Sequence, residues 1–481
     1  MCLFAAKSPL STQERTGIVS RNRMSPLCFD ISSGGISAAL FDSELEPIRL
    51  VEGRWKPAAT LAVDTITGQF KHLIAELKVA NVTDAVAAVS IGCFMHNLVL
   101  LDSDSLPLTP VFTWLDSRGV DGLQYVQARL GERFHARTGC RYHPMFPVFK
   151  LAALHLNNCG LLAKAVRAVS IKSFLLHALT NLWVEDDGMA SASGLYNIVD
   201  GSWDSELLPL IGMSQKQLPA VRSRTDIIGR ITAEAAAEFG LPDNVAIING
   251  SGDGFLANIG SDCETPARLS VTLGTSAVAR QTLSRAVVNA SSGTFCYRAA
   301  GDVYLLGCAG SNGGNVLDWG RSIFGVLEDA DLSVDPPVFI PLLHGERSPD
   351  WNSQLTGSWH GLTARHTAAD LSRSILEGVV FNLAHFVDIV QNTSGIKPSD
   401  IVLSGNGFLH PLAAPILAAV VDAAVWMPGQ PGLASLRGSG ICALRALGAP
   451  VPPLKAKSVA PLEDTKIPKR YEQYRNLRGS V

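Results

Sequence analysis

The sequence predicts an α/β protein built as two similar halves around a cleft. Three observations predict it: two matching hairpin patterns far apart in the chain, strands alternating with helical segments between them, and the length. At 481 residues the chain exceeds one ordinary domain and suits two or three.

The first hairpin pattern runs from Leu27 to Asp42 and the second from Arg268 to Arg280. Each reads as an apolar strand, a tight turn of Gly, Ser and Thr, and a second apolar strand. They start about 240 residues apart, the span of one large α/β domain. Val86 to Gly92 reads as a buried strand, and Val245 to Asn249 as another that runs into the turn Gly250–Gly254. Asp370 to Val390 carries apolar residues at helical spacing, with Thr367 and Asp370 as an N-terminal capping box. Ile401 to Gly407 reads as strand, glycine turn and following helix, and the tail after Pro450 turns helical near Tyr471 to Leu477. Such alternation favours mostly parallel sheets flanked by helices. The expected division is a flexible extension at 1–25, an N-terminal domain at 26–266, a C-terminal domain at 267–450 and a tail at 451–481 that ends in a short helix.

Composition removes several function classes. A formal charge of −3 and a pI near 6.4, with no block of like charges, argue against a nucleic-acid surface. The nine cysteines are widely spaced and form no CxxC or CxxH pair, so neither a disulfide framework nor a zinc site is suggested. No stretch approaches the roughly 20 uncharged apolar residues of a membrane helix. The best candidate, Ala413 to Met427, carries Asp422 in its middle. Arg15, Arg21 and Arg23 faintly resemble a transit peptide, but Met24 stands just before the first strand, and an over-long start or disordered extension is the preferred reading. The expectation is a soluble, cytoplasmic protein with no nucleic-acid or membrane partner.

Gly, Ser and Thr turns that follow strands present backbone N–H groups in one direction, a nest suited to phosphate oxygens. Four occur: Ser32 to Gly35, Gly274 to Ser276, Gly310 to Gly314 and Gly405 to Gly407. Any one equally fits a plain tight turn. Four in this order, two in matching hairpins, point to a nucleotide cleft between two domains. There is no GxxxxGK[ST], which excludes a Walker-type loop. Asp30 precedes the first turn, where a carboxylate can hold Mg²⁺ beside phosphates or simply cap the turn. Asp253 sits between two glycines after an apolar strand, at the end where open α/β sheets bind ligands. An exposed carboxylate there can take a hydroxyl proton during phosphoryl transfer, with an Asp-Gly turn as the bland alternative.

From about Pro26 to Leu477 the sequence resembles the FGGY carbohydrate kinases. The resemblance is strongest from Ser90 through Met95, His96 and Asn97 to Trp114, Asp116 and Arg118. It continues through Gly252–Gly254, Leu273–Ser276, Asn312–Asn315 with Trp319, Gly345–Pro349 and Gly357–Thr363. The gluconokinase-like and xylulokinase-like branches look nearest. The resemblance implies two actin-like, ribonuclease H-like domains with ATP in the interdomain cleft, Mg²⁺ as cofactor, a small-molecule sugar as substrate, and a homodimer as the common assembly. It places the catalytic base at Asp253 and sugar contacts at His96, Trp114 and Asp116. It assigns phosphate contacts to Ser33, Gly34, Gly274 and Thr275, further nucleotide contacts to Gly314, Asp318, Asn406 and His410, and the metal to Asp30. A hinge is expected near Cys263 to Arg268. For the carboxylate of a sugar acid, Arg118, Lys150 and Arg347 are the candidate cations.

The chain also departs from the family pattern. Ser32 stands for a glycine, Gly34 and Gly35 stand for hydroxyl residues, and Ser37 stands where many members carry Arg or Lys. The turn at 404–407 reads Ser-Gly-Asn-Gly where a Gly-Gly pair is usual. These changes imply another phosphate grip, altered chemistry or reduced activity.

Overall fold

A computed structural model describes residues 25–79, 86–157, 160–325 and 335–479. The expected N-terminal extension, apart from Ser25, lies outside them, as do Cys2 and Cys159. Strands of the two large sheets, and the helices that position the site, are numbered here in chain order.

The first sheet holds β1 (Ser25–Ser32), β2 (Gly35–Phe41), β3 (Pro47–Arg54), β4 (Val86–Cys93), β5 (Ile227–Arg230) and β6 (Ala246–Gly252), in the order β5-β6-β4-β1-β2-β3. β1, β2 and β3 form an antiparallel meander, while β4 and β6 run parallel to β1 on its other side. The second sheet holds β7 (Arg268–Leu273), β8 (Ala277–Leu283), β9 (Phe295–Ala300), β10 (Val303–Ala309), β11 (Asp400–Ser404), β12 (Ala424–Pro428) and β13 (Ala456–Ser458). Their order is β9-β10-β8-β7-β11-β12-β13. Again the opening hairpin extends antiparallel, here through β10 to an edge strand β9, and two later strands add in parallel beside the first. The two predicted hairpins are therefore the opening pair of each of two equivalent sheets.

Parallel strands buried on both faces read as near-continuous apolar runs; β4 does so apart from Ser90, and β6 over Ala246–Ile248, although every residue of β6 is buried. β6 runs three residues further than predicted and ends at Gly252, so Asp253 becomes the first residue of α1 (Asp253–Gly260). α2 (Gly314–Phe324) follows β10. α3 (Ala368–Ser394) is the predicted long helix. Thr367 Oγ1 accepts from the Asp370 N–H, and the Thr367 N–H donates back to the Asp370 carboxylate at 2.7 Å. This helix is long and apolar enough to cross a membrane, but 78% of its most apolar window is buried inside the protein, which marks a core helix. The turn after β11 leads into one 3₁₀ turn, Asn406–Leu409, rather than directly into the predicted helix. The predicted tail helix is α5 (Ile467–Arg478), preceded by α4 (Ala434–Ala446).

α4 lies between β12 and β13 of the second sheet in sequence, yet it packs on the first. Leu436, Ile441 and Cys442 join Cys28, Ala39, Phe41, Ala88 and Ile248 in one core. Contact with α1 is close because both helices present glycine. A Cβ at Gly438 would lie 1.9 Å from the Leu256 carbonyl oxygen, and one at Gly260 would lie 1.9 Å from that of Ala434. The α1–α4 pair thus packs together on the first sheet. The expected hinge segment is firmly tied: the Cys263 carbonyl accepts from Asn258 Nδ2 and Thr282 Oγ1, both at 2.6 Å, and Glu264 pairs with Arg445. All seven described cysteines are free and buried.

Candidate functional site

Between the two sheets lies a cavity of about 290 Å³. The first lobe contributes Ser32, Ser33, Met95, His96, Trp114 and Asp253 to its walls. The second contributes Thr272, the turn Gly274–Ser276, Arg280, Tyr297 and Arg347. Both hairpin turns and the predicted base therefore open onto one space.

Asp253 reaches this space because of its neighbours. A Cβ at Gly252 would lie 2.9 Å from Met95 Cγ, and one at Gly254 would lie 3.0 Å from Met95 Cε. Only glycine on both sides lets the Met95 loop close against the start of α1. The carboxylate accepts from its own helix, with the Gly254 N–H at 2.7 Å from Oδ1. Burial pushes Asp253 up to about 6, opposed by the hydrogen bond from Gly254 and by the positive charge of Arg280. It is thus largely ionised at neutral pH yet close enough to neutrality to take a proton.

Asp30 lies beside it. Burial first, and the charge of Asp253 second, push Asp30 up to about 7. Its Oδ1 is buried without a hydrogen-bond partner. Two mutually repelling carboxylates and one orphaned oxygen fit a divalent cation that takes its remaining ligands from phosphate and water. No cluster of three or more His, Cys, Asp or Glu exists among the described residues, so the chain alone does not build a closed metal cage.

In the wall from the first lobe, His96 adopts the left-handed backbone conformation (φ 63°), uncommon for a residue with a Cβ. The bend is held by Lys150, whose buried ammonium donates to the carbonyls of Thr113 (2.6 Å) and His96 (3.4 Å). Burial lowers Lys150 to about 7. Burial also lowers His96 to about 3, so the ring is neutral. Its Nδ1 lies 2.7 Å from the Ala192 carbonyl. A carbonyl only accepts, so Nδ1 carries the proton and Nε2 is left as an acceptor for a hydroxyl. Trp114 Nε1 donates to Ser33 Oγ at 3.3 Å, tying this wall of the cavity to the first hairpin turn. The Arg347 guanidinium lies 5.4 Å over the Trp114 ring, and its Nε is buried without a partner.

Of the three candidate cations, only Arg347 lines the cavity. Arg118 is committed to Asp116 at 2.8 Å and stacks on Phe112. Lys150 supports the backbone from behind. Asp116, expected at the sugar, is buried and does not line the cavity. Its carboxylate accepts from both the Arg118 side chain and the Arg118 N–H, which shapes the loop after Trp114.

The nucleotide-side residues extend from the second turn. The Gly314 N–H donates to the Gly274 carbonyl at 2.8 Å and that of Asn315 to Thr275 at 3.1 Å. The glycine turn before α2 is therefore spent on stitching the helix to the hairpin, leaving the hairpin turn to face the cavity. Gly405 (φ 91°) passes so close to β7 that a Cβ would lie 2.4 Å from the Leu273 carbonyl oxygen. Asn406 follows it at the surface, against Gly432. Asp318 is exposed and paired with Arg321 at 2.6 Å, whose charge also reaches His410. Gly34, in the first turn, packs against Pro57. Ser37 points elsewhere: its hydroxyl donates to Glu52 at 3.3 Å.

Arg280 was not singled out from the sequence, because the second strand of the hairpin was read as ending there. β8 continues to Leu283, which puts Arg280 mid-strand and buried, with only apolar residues for three positions before it. A charged residue within such a run is the signal that would have flagged it.

A family model described as the FGGY family of carbohydrate kinases, N-terminal domain, matches residues 60–260, and the corresponding C-terminal domain matches residues 269–447. The chain belongs to the FGGY family of carbohydrate kinases. A gluconokinase of Bacillus subtilis (strain 168) is 30% identical over 333 residues, covering 65% of each chain, so the match spans just under two thirds of that protein. A xylulose kinase of Klebsiella pneumoniae is 28% identical over 335 residues, covering 67% of this chain and 68% of that one. Among solved structures, a gluconate kinase and a ligand-bound xylulose kinase, both from Lactobacillus acidophilus, each superpose with a TM-score of 0.87. Each has 26% identity and covers 95% of this chain and 98% of the other. The two-domain ATPase-like fold of this FGGY chain agrees with the architecture expected from its duplicated hairpins.

Proposed function

We propose that this FGGY chain transfers the γ-phosphoryl group of ATP to a hydroxyl of a small sugar acid such as gluconate, in the cytoplasm. Residues 26–266 would hold the sugar and Asp253, and residues 267–450 the nucleotide. The observation that carries the reading is the single cavity onto which Asp253, both hairpin turns and Arg347, whose Nε is buried without a partner, all open.

In this reading His96 Nε2 accepts a sugar hydroxyl, and Trp114 packs against the carbon skeleton. Arg347 takes the carboxylate, which completes the unsatisfied Nε–H; its Nη2 already donates to the Gly310 carbonyl, and the indole lies beneath the guanidinium. Asp253 orients the attacking hydroxyl and accepts its proton, an effect of roughly 10² to 10⁴-fold. Asp30 is the residue suited to hold Mg²⁺, which when bound neutralises phosphate charge. Enclosure between the lobes aligns the reactants and keeps water from competing as acceptor.

A ketopentose or polyol is the alternative acceptor, favoured by the similarity to xylulose kinases. A screen of purified protein with ATP and Mg²⁺ across sugar acids, ketopentoses and polyols separates the readings by kcat/KM. Preference for a sugar acid is expected. Preference for a neutral sugar would discard the role given to Arg347, and ATP binding without transfer to any acceptor would discard the kinase reading itself.

A further inference from the structure

Phosphoryl transfer concentrates negative charge on the moving group, so a site needs a cation where that group passes. In this molecule the first hairpin supplies none. Its turn is Ser32, Ser33, Gly34 and Gly35, and Ser37 beyond it is engaged with Glu52. Only two of the residues lining the cavity are cationic, Arg280 and Arg347. Arg347 belongs to the acceptor wall, over Trp114.

Arg280 occupies a different place. It stands on β8, the second strand of the hairpin whose turn faces the cavity, and its Nη1 donates to Thr272 Oγ1 at 3.3 Å. The other side of the guanidinium reaches the start of α1 across the cleft. A Cβ on Gly254 would lie 3.5 Å from Arg280 Nε and 3.6 Å from Cζ. The guanidinium therefore spans from Thr272, two residues before the second hairpin turn, to the start of α1 beside Asp253. It forms no ion pair among the described residues, although it is close enough to Asp253 for each charge to favour the other. An arginine buried in a strand, unpaired, facing a cavity and flanked by a glycine that gives it room, is costly unless an anion completes it.

We propose that Arg280 is a catalytic residue that contacts the transferring phosphoryl group, supplying from the second lobe the cation absent from the first hairpin. The inference rests on the reading of Asp253 as the base. In the step, the sugar oxygen forms a bond to Pγ while the bond from Pγ to the β–γ bridging oxygen breaks. The electron pair leaves on ADP, and the hydroxyl proton passes to Asp253. Arg280 donates to the equatorial phosphoryl oxygens throughout and exchanges no proton. Because it also faces Asp253, it links completion of the phosphate site to alignment of the base.

The test uses the full chain with MgADP, tetrafluoroaluminate and the preferred acceptor, read as trapping affinity, alongside steady-state kinetics. For Arg280→Gln the expected results are a kcat lower by roughly 10² to 10³-fold, unchanged ADP affinity and acceptor KM, and loss of tight trapping. Arg280→Lys, which keeps charge but not the fork, should trap at least tenfold more weakly than the wild type and decides the matter if the Gln variant does not fold. Addition of guanidinium ion should partly restore turnover to Arg280→Ala. Wild-type trapping and kcat in a folded Gln or Lys variant would overturn the proposal. A wild-type protein that transfers to no acceptor would instead overturn the reading of the site on which it rests.

Discussion

Replacing Asp253 with Asn should stabilise the protein while disabling it. The native carboxyl is raised from 3.8 to about 6, chiefly by burial. An acid whose folded value lies above its unfolded value is favoured by protonation. Its contribution is therefore full below about pH 4 and is lost as pH rises through about 6. By linkage that difference corresponds to roughly 3 kcal/mol surrendered at pH 8. Asn keeps the oxygen that accepts from the Gly254 N–H and removes the charge, but it also leaves Arg280 without its counter-charge. A net gain of about 1–3 kcal/mol is expected, seen as a rise of a few degrees in Tm. Thermal unfolding of both proteins from pH 4 to pH 8, without ligand, provides the assay. The gain should vanish near pH 4 and reach its plateau above about pH 6. A variant that is less stable at pH 8, or whose gain is independent of pH, would refute the assignment of Asp253 as a strained, desolvated charge.

Other consequences are open to direct measurement. Asp30→Asn removes the second carboxylate, so the Mg²⁺ concentration for half-maximal rate should rise by roughly tenfold or more; an unchanged Mg²⁺ dependence in a folded variant would displace the metal from Asp30. Arg347→Gln should raise KM for a sugar acid by roughly 10 to 100-fold, as expected for a lost charged hydrogen bond, while sparing neutral acceptors. Equal effects on both acceptor classes would argue against carboxylate recognition. Gly438→Ala drives a methyl group into the Leu256 carbonyl and should cost about 1–3 kcal/mol of stability, measured by denaturant unfolding.

Much of the fold was legible because local patterns agree with tertiary ones. The hairpins declare themselves by apolar runs broken at small residues, and α3 by its periodicity and its Thr367–Asp370 cap. That Asp253 lines the cavity was legible because an apolar run followed by flanking glycines marks a strand end of the kind that opens onto clefts in α/β sheets. Other features depend on packing that no local pattern encodes. Asp116 and Trp114 sit two residues apart, yet one turns to Arg118 and the other faces the cavity. Tyr297 reaches the site from a strand of the opposite sheet. α4 crosses to the first core because Gly260 and Gly438 meet, a pairing of positions far apart in the chain.

The central claim is that Asp253 faces the reacting hydroxyl within the interlobe cavity. Single-turnover phosphorylation of the preferred acceptor by Asp253→Asn, paired with calorimetric binding of that acceptor, tests it most directly. Transfer should be slowed by at least 10²-fold with acceptor affinity within about threefold of wild type; near-normal transfer by the folded variant would remove Asp253 from the role of base.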